Sequence, residues 1–180
     1  IDRYKKAVDS VHTAELLLDW EKLRGDIKEY GLRNSTLTAL MPAETSAQVS
    51  NSTNGIEPPR GLVSVKSSKD GVLKQVVPCI KTYRENYELL WEIPDNKGYI
   101  HKVGLMQKFV DQAVSANTNY DPSKFEGGKV PMQVILEDIL LAYKMGWKTA
   151  YYHNTRDGAN SAQGDEIMEV EDESCSGGGC

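Results

Sequence analysis

The chain changes character at Asp157, and that break limits what can fold. From there to the end are seven acids (Asp157, Asp165, Glu166, Glu169, Glu171, Asp172, Glu173) and no Lys or Arg, set among Gly, Ser, Ala and Asn with Ile167, Met168 and Val170 as the large apolar residues. Such a stretch buries too little apolar surface to offset the entropy lost on ordering, so it predicts a mobile arm. Residues 1–156 are then the folded body, and 157–180 a flexible tail. Of the chain's 21 basic and 26 acidic groups, the body holds all 21 basic and 19 acidic, so it is near neutral and the acidity belongs to the tail. A hydrophobic content of 39% over 180 residues is enough for one domain with a real core.

These numbers exclude several classes. No basic stripe with interleaved aromatics is left over to neutralise phosphates, which argues against nucleic-acid binding. The apolar runs are too short to cross a bilayer and the first residues carry no apolar signal core, so the expectation is no membrane partner and a cytoplasmic protein. Three cysteines, Cys79, Cys175 and Cys180, do not make a secreted disulfide framework.

Taken in order, residues 1–18 form a loosely amphipathic lead whose Leu16-Leu17-Leu18 needs a surface to pack on. Asp19 suits an N-cap, and Trp20, Leu23, Ile27 and Tyr30 recur at helical spacing before Gly31, predicting a helix over about 20–30. Leu37, Ala39 and Met41 fit a buried strand ended by Pro42. Asn51–Gly61 is a long turn-rich connection containing Asn54-Gly55 and Pro58-Pro59. Leu62–Lys66 and Val72–Val77 flank Ser68-Lys69-Asp70-Gly71, an Asp-Gly hairpin signal. Helical patterns then cover about Lys81–Trp91, about Gly98–Ser115, and a stretch opened by Pro131 and ended by Gly146. Asn117–Pro122 reads as the loop between the last two, and Trp147–Tyr152 as a short strand before turn-prone Asn154–Gly158. Strands and helices mix, so the body is α/β. Its strands are too few to bury their own faces beside three helices, which implies docking on more protein.

Three stretches carry chemistry. Pro42-Ala43-Glu44-Thr45-Ser46 delivers a strand into a helix start, where free backbone N–H groups and the positive dipole end favour an anion; an ordinary cap is the plain alternative. Tyr151-Tyr152 is either strand packing or a redox pair, since a phenol can release an electron and a proton together. Adjacent strand residues face opposite ways, so the two rings stack only if the strand twists or breaks there. In Cys175-Ser176-Gly177-Gly178-Gly179-Cys180, four small residues let two thiols close a disulfide, while Glu171, Asp172 and Glu173 disfavour thiolate. That fits a shuttle exchanging disulfides better than a metal site, which wants more ligands. As a flexible coil, Gly158–Cys175 spans on the order of 25 Å. Cys79 after Pro78 reads as a buried or incidental thiol.

With these residues in view, the chain from about Asp19 to Cys180 resembles the C-terminal portion of the large (alpha) subunit of class I, aerobic ribonucleotide reductases of enteric bacteria and their phages. The resemblance rests on Gly31–Leu37, Leu40–Ser46, Asn54–Gly61, Ser115–Pro122, Tyr151-Tyr152 with Asn154–Gly158, and the Cys-x4-Cys end.

The resemblance implies the C-terminal part of a ten-stranded α/β barrel, incomplete alone. It implies that Pro42, Ala43, Glu44, Thr45 and Ser46 bind the diphosphate of a ribonucleoside diphosphate, with the hydroxyls of Thr45 and Ser46 as donors and only the backbone serving at Ala43. Tyr151 and Tyr152 would relay an oxidising equivalent from the small (beta) subunit, which carries a di-iron or related radical cofactor, to an active-site cysteine whose thiyl radical takes the ribose 3′ hydrogen. Cys175 and Cys180 would reduce the active-site disulfide and be reduced in turn by thioredoxin or glutaredoxin. No metal is expected in this chain. The family's catalytic cysteines, asparagine and glutamate, and the region binding ATP and deoxynucleotide effectors, lie upstream of the matched part, so turnover needs an N-terminal partner. The expectation is therefore a split large subunit. The alternative is a non-catalytic remnant or fragment that only binds the small subunit or thioredoxin.

Overall fold

A computed structural model describes residues 5–13, 15–68 and 71–156. In chain order its elements are α1 (Trp20–Tyr30), α2 (Glu44–Val49), β1 (Val63–Ser68), β2 (Gly71–Val76), α3 (Ile80–Tyr83), α4 (Lys97–Gln107), β3 (Asn117–Tyr120), α5 (Met132–Lys144) and β4 (Tyr152–Thr155). Short 3-10 turns lie at Lys6–Ser10, Arg84–Asn86, Pro122–Lys124 and Glu126–Gly128. The chain divides into two units, one drawn from 5–41, 97–116 and 132–151, the other from 42–96, 117–131 and 152–156. The mixture of helices and strands agrees with an α/β fold, and the strands among the described residues form two-stranded sheets with no closed barrel.

In the first unit, α1 forms where expected. The Asp19 carboxylate accepts from Lys22 N at 2.9 Å and Gly31 ends the helix at φ +79. Trp20, Leu23 and Tyr30 of its apolar stripe stay exposed, as do Leu16, Leu17 and Leu18. The core is Val8, Ile100, Ala142 and Met145, with Ala7, Leu105, Leu141 and Trp147 packed around it. Burying side chains such as Val8 and Ile100 contributes about 1.5–3 kcal/mol each. Gly104 of α4 lies so close to the end of α5 that a Cβ there would meet Met145 Cβ and its carbonyl oxygen at 2.9 Å. Trp147 Nε1–H donates to Ile100 O at 2.9 Å. Gly146, at φ +86, closes α5: its N–H reaches Tyr143 O at 3.1 Å and Trp147 N–H reaches Ala142 O at 3.0 Å, which satisfies the last carbonyls.

Helix α4 stops at Gln107, short of the expected Ser115. The buried Gln107 side chain sends Nε2–H to Val110 O (2.9 Å) and Gln112 O (2.8 Å) and accepts Val114 N–H on Oε1 (3.1 Å), folding the chain into a turn. The expected buried strand at Leu37–Met41 is also corrected: Leu37 and Met41 are exposed, and only a parallel bridge between Leu40 and Val114 forms. The segment is held by the Asp111 carboxylate, which accepts Leu37 N–H (2.7 Å) and Thr38 N–H (3.2 Å).

In the second unit, β1 and β2 pair antiparallel from Val63↔Val76 to Ser68↔Gly71, the hairpin that the Asp-Gly signal predicts. The helix expected over about Lys81–Trp91 shrinks to the single turn of α3. Tertiary partners claim its groups instead: Tyr87 hydroxyl donates to Pro78 O (2.7 Å) and Leu90 N–H to Pro59 O (2.9 Å). The predicted loop at Asn117–Pro122 contains β3, which pairs parallel with β4 from Asn117↔Tyr152 to Tyr120↔Thr155. Trp147–Tyr151 is not strand, and Asn154-Thr155 is strand rather than turn. The connection between the parallel strands contains α5, as parallel pairing requires a crossover.

Candidate functional site

The pair β3–β4 is polar where most parallel strands are apolar. Thr118 and Tyr120 are buried, with Asn117 and Asn119 half-buried between them. Two of the polar side chains are matched across the ladder. Thr118 Oγ1 and His153 Nδ1 lie 2.5 Å apart, and Asn154 Nδ2–H donates to Asn119 Oδ1 at 3.0 Å. Asn119 N–H donates to the buried Asn96 Oδ1 at 2.9 Å. At the C-terminal end, Asp121 accepts from Ser123 N (3.0 Å), Ser123 Oγ (2.6 Å) and Arg156 Nη1 (3.0 Å). The Ser123 hydroxyl, with help from the Arg156 guanidinium, holds the Asp121 carboxyl below its ordinary value despite burial, which pulls the other way.

Tyr152 opens this strand and Tyr151 precedes it. Tyr151 N–H donates to Ala116 O at 2.9 Å within the first unit, and the residue is 46% exposed. The ladder begins at Tyr152, which is 57% exposed and whose N–H donates at 3.1 Å to Asn117 Oδ1. Asn117 Nδ2–H donates in turn to Glu57 Oε1. Neither Glu57 nor Asn117 is singled out by sequence reasoning, because an acid in a loop and an amide in an apparent turn acquire meaning only from each other. The available signal is the alternation of Asn117 and Asn119 opposite Tyr152 and Asn154.

The helix start at Pro42–Ser46 forms as α2, with Ala43 as N-cap at φ −120. Ala43 N–H donates to Asn54 O and Oδ1, both at 2.9 Å, so the Asn54-Gly55 turn holds it. Ser46 Oγ lies 3.4 Å from Ala43 O. The N–H groups of Glu44, Thr45 and Ser46 are first-turn donors that lack an i−4 carbonyl of the helix. The Glu44 and Thr45 side chains, like Cys175, Cys180 and the whole acidic tail, lie outside the described residues. Cys79 is half-buried at φ +50 ahead of α3. Among the described residues no group of three His, Cys, Asp or Glu side chains converges as a metal site, and no helix is long and apolar enough to cross a membrane.

A model of the ribonucleotide reductase barrel domain matches residues 1–153. The chain belongs to this family. It is 66% identical over 180 residues to the ribonucleoside-diphosphate reductase subunit alpha of Haemophilus influenzae, a match covering all of this chain and 23% of that protein. The ribonucleoside-diphosphate reductase 1 subunit alpha of Escherichia coli is 61% identical over the same length, with 24% of it covered. The subunit alpha of Enterobacteria phage T4 is 51% identical over 163 residues, covering 89% of this chain and 22% of the phage protein. The chain thus spans about a quarter of the length of these relatives.

Proposed function

We propose that this chain is the C-terminal part of a class I ribonucleoside-diphosphate reductase large subunit, completing a ten-stranded α/β barrel with an N-terminal portion that supplies the active-site cysteines and effector sites. The observation that carries this is the match over 1–153 together with 61–66% identity across all 180 residues to subunits so named. Working in the cytoplasm with a radical-bearing small subunit, it serves reduction of ribonucleoside diphosphates to deoxyribonucleoside diphosphates.

Three contributions follow. The first turn of α2, with the N–H groups after Ala43 and the hydroxyls of Thr45 and Ser46, receives the substrate diphosphate. Tyr152 and Tyr151 pass an oxidising equivalent inward, each phenol losing an electron and a proton and regaining both as the next group is oxidised. The half-exposed rings at the strand start support this, since a relay must meet a partner. Loss of the ribose 2′ hydroxyl as water draws two electrons from an active-site dithiol, which becomes a disulfide. The Cys175 and Cys180 thiols return these by thiol–disulfide exchange, ending as a disulfide that thioredoxin or glutaredoxin reduces.

Combining the chain with its N-terminal portion, a small subunit and a reductant, then assaying deoxyribonucleotide formation, tests the reading. Turnover is expected for the native sequence and none for Tyr152→Phe. Turnover that survives Tyr152→Phe discards the relay, and none from the native mixture favours a non-catalytic fragment.

A further inference from the structure

We propose that Glu57 and Asn117 are positioning residues for Tyr152, a role that rests on the relay reading above. A side chain holds the main chain of Tyr152: its N–H donates to Asn117 Oδ1 at 3.1 Å. The Asn117 amide has one orientation that satisfies both neighbours. A backbone N–H can only donate, so it faces the amide oxygen; an ionised carboxylate can only accept, so Glu57 faces the amide nitrogen. Glu57 therefore sets which way Asn117 points, and Asn117 sets where Tyr152 begins its strand.

Glu57 is itself held. Three residues before it, Asn54 takes Ala43 N–H through two oxygens; two residues after it, Pro59 O accepts the N–H of buried Leu90 at 2.9 Å. Pro58 and Pro59 narrow the backbone choices between those anchors. A loop fixed at both ends keeps its carboxylate in one place. Radical transfer is sensitive to such placement, because it needs the phenol at a set distance from its donor and acceptor. Asn54 also makes the loop part of the α2 start, so a general collapse of the loop would disturb diphosphate binding along with the phenol.

The logic of donors and acceptors supplies the test, made in the large subunit carrying this sequence and assayed with a radical-bearing small subunit and ribonucleoside diphosphate. Asn117→Asp sets two carboxylates against each other and is expected to lower kcat by roughly 10²-fold, the cost of a misplacement on the order of 1 Å, with KM within about threefold. Glu57→Gln keeps an acceptor for the amide and is expected to stay within about threefold of native kcat. The double variant Glu57→Gln with Asn117→Asp restores one donor facing one acceptor and is expected to recover kcat to within about fivefold. Native kcat in Asn117→Asp, a double variant no better than Asn117→Asp alone, or KM rising in step with the loss of kcat would each overturn the proposal. Should Asn117→Asp not fold, recovery or its absence in the double variant decides. Activity in Tyr152→Phe defeats the relay reading itself, whereas an inactive Tyr152→Phe beside an unimpaired Asn117→Asp defeats only the positioning role.

Discussion

Arg156 Nη1 stands 3.0 Å from Oδ2 of Asp121, whose side chain is only 5% exposed, and Arg156 N–H also donates to Tyr120 O at 2.9 Å. The C-terminal end of the parallel pair is thus fastened by one main-chain and one charged contact, with Ser123 supplying two further donors to the same carboxylate.

Asp121 gives a pH prediction. Its folded-state pKa lies below the ordinary 3.8, so its contribution is present above that value and is lost as pH falls through the lower folded value. The urea midpoint of the chain is expected to hold down to about pH 5 on this account and to fall below 3.8. Asp121→Ala should flatten that acid-side fall and cost about 2–3 kcal/mol at pH 7, below the full buried-pair value because Arg156 is 43% exposed. An acid limb unchanged by the substitution would contradict the assignment.

Gly104→Ala is expected to destabilise. Alanine is the better helix former by up to about 1 kcal/mol, but its Cβ would meet the Met145 carbonyl, a backbone atom that cannot swing aside. Overpacking of this kind costs about 1–3 kcal/mol, so the clash wins and the thermal midpoint should drop. A midpoint raised by the substitution would show that α4 and α5 can move apart freely.

Gln107→Leu should cost about 3 kcal/mol or more, since it leaves the Val110 and Gln112 carbonyls and the Val114 N–H without their buried partner. Amide exchange at Ser115, whose N–H donates to Leu40 O at 2.9 Å, should accelerate with it as the turn loosens. Protection at Ser115 equal to the native chain would separate the turn from the Leu40–Val114 bridge.

The tail is tested through its reductant. On the proposed role, Cys175→Ser and Cys180→Ser leave turnover with dithiothreitol unchanged, because a small thiol reaches the active-site disulfide directly, and abolish turnover driven by thioredoxin. Equal losses with both reductants would place the two cysteines outside the return path.

Much of this was readable where one residue decides the local outcome. Asp19 and Gly31 bound α1, Gly146 closes α5, and Asp70-Gly71 announces the hairpin, each through its own backbone chemistry. The start of α2 and the Tyr151-Tyr152 pair could be pointed to from their residues. What escaped depends on distant partners. β3 looks like a turn because Asn117-Thr118-Asn119 is polar, and it is a strand because His153, Asn154 and Asn96 answer those side chains. The helix expected over Lys81–Trp91 is interrupted where Pro59 O takes the N–H of Leu90. Gln107 has unexceptional helical spacing, and nothing local says that its amide will turn inward and end α4.

The parallel ladder bears on the history of each molecule as well as on its final form. Asn117 and Tyr152 are paired although 35 positions apart, and an entire helix has to be made between them before they can meet. Closing so long a loop loses entropy that short hairpins keep, so this pairing is expected among the last to arrive as the chain matures and among the first to part under stress. On the proposed relay role, a nascent or damaged chain would then lack an aligned oxidisable ring, and a powerful oxidant would find no route inward until the surrounding polypeptide was ready to receive it.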